Sequence, residues 1–181
     1  MSEATSKAFR LAKLRFTLTP LDPIGLPPFK GSALRGGFGR AFRGIGCAAS
    51  ALGARECPLP ARCPYHYVFE TPPPAGSQVL DKLPAAPHPF VIEPPPETKR
   101  RYAPGEPIDF HLVLIGRAID YLPYFIVAFE ELGRRGIGHG NGRYALSGID
   151  GVTASGHSTP IYSGESHRLV NQWPVLHPDD L

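Results

Sequence analysis

The distribution of proline most constrains what this chain can fold into. Its 181 residues hold 22 prolines and 20 glycines, gathered in a few stretches. Proline lacks a backbone donor and cannot serve a central strand. The stretch from Thr71 to Pro107 therefore reads as extended, edge-type structure, with one strand-like island at Pro89-Phe90-Val91-Ile92-Glu93. Regular elements are left to the segments on either side.

Those segments have clear periods. Leu14, Phe16 and Leu18 alternate with Arg15, Thr17 and Thr19, the pattern of a half-buried strand that Pro20 ends. Ser32 stands at the expected N-cap of a helix, along which Leu34, Phe38, Ala41, Phe42 and Ile45 recur at helical spacing. Gly36, Gly37, Gly39 and Gly44 are poor helix formers, which predicts a close approach of backbone or ligand to this helix. Tyr65, Tyr67 and Phe69 read as the odd face of a short strand. Ile108, Phe110, Leu112 and Leu114 alternate with Asp109, His111, Val113 and Ile115 as a further strand. Ile119, Leu122, Phe125, Ile126, Phe129 and Leu132 then mark an amphipathic helix with Pro123 in its first turn. A glycine-punctuated loop over 136–142 leads to a strand at 143–146.

The order strand, helix, one or two strands, strand, helix, strand is the split βαβ pattern of an α+β, ferredoxin-like fold. It predicts an antiparallel sheet with two helices on one face, Leu34, Phe38 and Phe42 meeting Ile126 and Phe129, and a proline-rich, cysteine-containing insert. Residues 1–150 form the domain on this reading. Residues 151–181, polar after Asp150 and closing on Trp173 and acids, form a loosely ordered extension.

A hydrophobic fraction of 42% is enough for a real core, and the net charge of +3 says little alone. No apolar run is long enough for a bilayer, and no apolar segment follows the N-terminus, so a cytoplasmic protein is expected. Cysteines in such a chain point to reduced thiols or a metal site rather than disulfides.

Two short segments concentrate positive charge without an acid. One runs over 30–43 with Lys30, Ser32, Arg35, Arg40 and Arg43; the other runs over 134–143 with Arg134, Arg135, His139, Asn141 and Arg143. Each lies where a loop meets a helix end. Glycines there admit a phosphate backbone, and arginines supply paired donors. Both segments together point to RNA, with a small-molecule phosphate as the alternative ligand.

The segment Pro27-Pro28-Phe29-Lys30-Gly31-Ser32-Ala33-Leu34-Arg35-Gly36 resembles the loop-to-helix signature of the CRISPR-associated RAMP superfamily. Gly133-Arg134-Arg135-Gly136-Ile137-Gly138-His139-Gly140-Asn141-Gly142 is similar to the glycine-rich element of those proteins. Pro104-Gly105-Glu106, followed by the strand from Phe110, resembles the lead-in of their pre-crRNA-processing endoribonuclease branch. The resemblance covers residues 12–150. It implies an RNA-binding domain like the N-terminal half of a metal-independent endoribonuclease acting on CRISPR repeat RNA, whose full members carry a second ferredoxin-like domain. It also implies partners: repeat RNA or crRNA, other CRISPR-associated proteins, or a second copy, with no membrane. A non-catalytic crRNA-binding subunit of an effector complex is the alternative.

In such cleavage a 2′-hydroxyl attacks the adjacent phosphate, and a histidine can protonate the leaving oxygen. His139, set among glycines and arginines, is the best candidate; no cofactor is required. Cys47, Cys57, Cys63 and His66 could hold a structural zinc, and the region resembles a cysteine-rich insert of the family that usually offers a fourth cysteine. Three reduced thiols in a loop is the blander reading, and the favoured one.

Overall fold

Strict alternation along the first strand sets the two faces of the sheet. In β1 (Leu11–Pro20) Ala12, Leu14, Phe16 and Leu18 are buried, while Lys13, Arg15, Thr17 and Thr19 face the other way. The computed structural model describes residues 9–47, 63–71, 73 and 86–180. After β1 come β2 (Ile24–Gly25), α1 (Gly31–Gly46), a π-helical turn (His66–Glu70), β3 (Phe90–Glu93), β4 (Arg101–Tyr102) and β5 (Ile108–Ile115). A 3-10 turn (Gly116–Tyr121) runs into α2 (Leu122–Arg135), followed by β6 (Tyr144–Val152), β7 (Ser158–Ser163) and β8 (Arg168–Leu169).

Six strands form one antiparallel sheet in the order β3-β5-β1-β6-β7-β8, and β2 pairs with β4 apart from it. β1 lies between β5 and β6, with Leu14 opposite Leu112 and Phe16 opposite both Phe110 and Ile149. The island around Phe90 lies at the sheet edge. The pairing of β1 with β6 slips between Thr17 and Leu18, and that of β6 with β7 slips beside Pro160. Such bulges let a strand carry residues that a regular ladder would refuse.

Both helices cover one face. Phe38 of α1 stacks on Phe129 and Phe125 of α2 at 4.8 and 5.1 Å, and Phe129 packs on Phe16 and Phe110 of the sheet. Each phenylalanine buried in this way contributes about 1.5–3 kcal/mol. The helices meet closely because Gly37 has no side chain: a Cβ there would lie 2.7 Å from Leu132 Cδ1.

Four expectations need correction. Tyr65, Tyr67 and Phe69 belong to a helical turn, not a strand: Tyr65 stacks on Phe69 at 5.2 Å one turn away, and Phe69 packs on Phe38. α1 begins at Gly31 with Lys30 as N-cap, so Ser32 lies inside the helix and no side chain caps it. The strand placed at 143–146 runs to Val152. The segment after 150 is no loose extension, because β7 and β8 widen the sheet, burying Ile161 and Tyr162, and Leu176 exchanges two backbone hydrogen bonds with Leu11.

Candidate functional site

The open face of the sheet is charged but internally paired. Arg15 binds Asp150 at 2.5 Å, Lys13 binds Glu93 at 2.8 Å, Thr17 donates to Asp109, and the hydroxyls of Thr19 and Ser147 are hydrogen-bonded to each other. His111 stands beside Glu93, and burial together with Lys13 lowers its pKa. With Lys13 and Arg15 each matched by an acid, the centre of this face has little pull on a polyanion.

The exposed face of α1 differs. Arg35, Arg40 and Arg43 are exposed, and among the described residues none of them has a carboxylate partner. They line a trough of about 470 Å³ with Ser32, Gly36, Gly39, Tyr65 and Phe69. Arg43 lies over the Tyr65 ring at 5.8 Å. A second crevice, about 220 Å³, shares Ser32, Gly36 and Arg40 with the trough and continues to Gly136, Ile137, Gly138 and Asn141. The helix signature and the glycine-rich loop are thus neighbours in space.

That loop is locked rather than free. The His139 amide donates to the Gly25 carbonyl at 2.8 Å, and Ile137 pairs with Gly142. Gly138 has a φ of +72°, and a Cβ there would collide with the Gly25 carbonyl. The glycines of this loop therefore serve the docking of the loop on β2 as well as any ligand. His139 itself is exposed and lines a cavity of about 800 Å³ with Gly25, Leu26, Pro27, Lys99, Arg100 and Arg101.

Several sites expected from the sequence take other roles. Lys30 is completely buried, with its Nζ donating to the carbonyls of Glu97 at 2.5 Å and Pro28 at 3.3 Å. Its ammonium supports the loop before α1 and is not displayed to a phosphate. Arg134 and Arg135 both bind Glu131, at 2.6 and 2.7 Å. Arg143 forks onto Asp22 at 2.7 and 3.2 Å, which holds the Asp22 carboxyl below its usual range. The second basic segment, acid-free in sequence, is neutralised by acids from outside it. Asn141 remains exposed at the crevice, with a φ of +51°.

Sequence reasoning misses the run Lys99-Arg100-Arg101 because it sits inside the proline-dominated stretch. Three consecutive cations are the signal that could find it. Lys99 pairs with Glu106, leaving Arg100 and Arg101 as the exposed cations beside His139.

Of the proposed zinc ligands, Cys57 lies outside the described residues. Cys47 and Cys63 are buried, the Cys63 thiol donates to the Gly46 carbonyl at 3.3 Å, and His66 Nδ1 contacts Glu70 at 2.9 Å. No group of three metal-ligating side chains is gathered among the described residues.

A family model, that of the AF_1859 N-terminal domain, matches residues 9–174. The chain belongs to this family. It is a CRISPR-associated one, and its match reaches past β8, so the AF_1859 N-terminal domain takes in the strands that the sequence pattern assigns to an extension. No curated protein matches the chain. Among solved structures, this AF_1859 N-terminal domain is similar to a chain in the crystal structure of the Csm3-Csm4 subcomplex of the type III-A CRISPR-Cas interference complex. The identity is 15%, the alignment covers 83% of this chain and 80% of that one, and the TM-score is 0.49. Among the described residues no helix is long and apolar enough to cross a membrane.

Proposed function

We propose that this domain is a CRISPR-associated RNA-binding module of the RAMP kind, holding an RNA backbone along α1 and into the crevice beside the glycine-rich loop. The observation that carries this is the row of Arg35, Arg40 and Arg43, unopposed by carboxylates among the described residues and lining joined cavities. The fold is read as ferredoxin-like, because four of its strands, β6-β1-β5-β3, stand side by side in the 4-1-3-2 order of their succession around the two helices. Other CRISPR-associated proteins are the partners this reading expects.

Titration of fluorescent single-stranded RNA at several salt concentrations tests it. Replacing Arg40 and Arg43 by Ala should weaken binding of every sequence and flatten the log-affinity versus log-salt slope by roughly 0.7 for each phosphate no longer held. Replacing Arg134 and Arg143 should matter less, since both are already paired with acids. An unchanged slope in the folded Arg40/Arg43 double variant would place the RNA elsewhere.

His139 beside Arg100 and Arg101 favours a second reading, in which the same module cleaves. There a 2′-hydroxyl gives up its proton to solvent as it attacks the phosphorus, the bond to the 5′-oxygen breaks, and the His139 imidazole, acting as general acid, gives that oxygen a proton while the arginines stabilise the charge. The product would carry a cyclic 2′,3′-phosphate. Mass spectrometry of incubated repeat RNA detects that end, and His139→Ala should abolish it while sparing affinity.

A further inference from the structure

A fourth cavity touches the arginine trough and differs from it in chemistry. It holds about 550 Å³ between the start of α1 and the outer strand β3, and it shares Ser32 and Arg35 with the trough. Phe29 stands over it, 68% exposed, an unusual setting for so large an apolar ring. The far end of the ring rests against Gly31, where a Cβ would come within 2.6 Å of Cζ. Val91, 48% exposed, forms part of the opposite wall.

Polar groups in this cavity are few and defined. The Thr71 hydroxyl donates to the Val68 carbonyl at 3.4 Å, so toward His88 Nδ1, 3.2 Å away, it can only accept. With that hydrogen bond made, the imidazole proton is assigned to Nδ1, which leaves Nε2 as an acceptor without a partner among the described residues. Burial, together with the nearby Arg35 charge, lowers the His88 pKa, and stacking on Phe90 at 5.9 Å fixes the plane of the ring. Across from it Arg35 offers a fork of donors. The cavity thus presents an aromatic face, paired donors and one acceptor beside a row of phosphate-binding arginines.

We propose that this cavity takes one unpaired guanine of a bound RNA, stacked on Phe29 and read at its edges by Arg35 and His88. Guanine alone among the bases offers two adjacent acceptors, O6 and N7, to a guanidinium, together with N–H donors for a bare imidazole nitrogen. Stacking on an exposed ring holds any base, and the polar pair supplies the choice. The proposal rests on the RNA-binding reading above and adds a sequence preference to it.

The test uses the full chain and four short oligouridines, identical except that a central residue is U, G, A or C, in anisotropy titrations at one salt concentration. The guanine-containing RNA should bind roughly tenfold more tightly than the all-uridine RNA. His88→Ala should reduce that ratio below about threefold, and Phe29→Ala, which removes the stacking platform, should weaken all four RNAs, the guanine-containing one most, so that the ratio again falls below about threefold. Arg40→Ala, outside this cavity, should weaken all four equally. Phe29 is exposed, so its removal leaves the core intact, and His88→Asn, which keeps an acceptor, should retain part of the preference. Equal affinity for all four RNAs, a preference for another base, or a guanine preference that survives both alanine variants overturns the proposal while RNA binding stands. Failure of the parent protein to bind any of the four overturns the RNA-binding reading itself, and this proposal with it.

Discussion

The Lys30 ammonium rests on two carbonyl oxygens inside the fold, so its removal should register in stability rather than in RNA affinity. Lys30→Ala opens a cavity and leaves carbonyls unmet, costing about 2–4 kcal/mol in urea unfolding with the RNA salt slope unchanged. A changed slope with unchanged stability would return Lys30 to the RNA-binding surface. Gly133 offers a second single-residue test. A Cβ there would run into the Tyr144 carbonyl, where α2 touches β6 and the Tyr144 hydroxyl already donates to Phe129 O at 2.8 Å. Gly133→Ala should cost about 1–3 kcal/mol through overpacking, measured by the same unfolding curve. The charge of each arginine is legible in the chain, but its partner need not be. Arg143 meets an aspartate 121 positions away, and only the fold brings them together. The Glu131 pairs, by contrast, lie at helical spacing and can be read directly.

At the level of elements, the aromatic stack between α1 and α2 holds the arginine face and the glycine-rich loop in register. Phe38 touches Phe42, Phe69, Phe90, Phe125 and Phe129, so Phe38→Ala should cost about 3–5 kcal/mol. It should also weaken RNA binding beyond the loss of folded protein, a difference separable by comparing affinity with the folded fraction from circular dichroism. β1, β5, α1 and α2 are legible because each repeats one period over several residues with a single buried face. The aromatic turn is not, since Tyr65, Tyr67 and Phe69 at every second position satisfy a strand as well as a helical turn whose ends stack. β7 and β8 escape because β7 is rich in Ser and Thr and β8 is only two residues long, which leaves Ile161, Tyr162 and Leu169 as their apolar signal.

For the whole molecule, stability should fall as the solution turns acidic. His88 and His111 both titrate below the ordinary imidazole value of 6.5, through burial and nearby cations. The unfolded chain therefore takes up protons that the folded one refuses, and stability falls as pH drops below about 6.5 toward the lowered folded values. Asp22, Glu106 and Glu131 are held low by Arg143, Lys99 and Arg135, so their contribution is present above the ordinary carboxylate range and is lost as pH falls through their lowered values. Differential scanning calorimetry should show a flat melting temperature between about pH 7 and 9, a first decline below it, a second in stronger acid, and a separate decline above about pH 10, where Tyr102, Tyr144 and Tyr162, raised by burial, resist an ionisation that the unfolded chain undergoes; a double His88→Gln, His111→Gln variant should lose the first decline. The pair of hydrogen bonds joining Leu11 to Leu176, at 2.9 and 2.7 Å, has a different kind of consequence. It brings the start of a central strand against a segment near the far end of the chain, so the order in which the polypeptide is written is separable from the architecture it builds. A circular permutant that joins these two segments by a short linker and opens at the exposed hairpin tip beside Gly156 should regain the same sheet, with its melting behaviour showing how much of the fold depends on chain continuity.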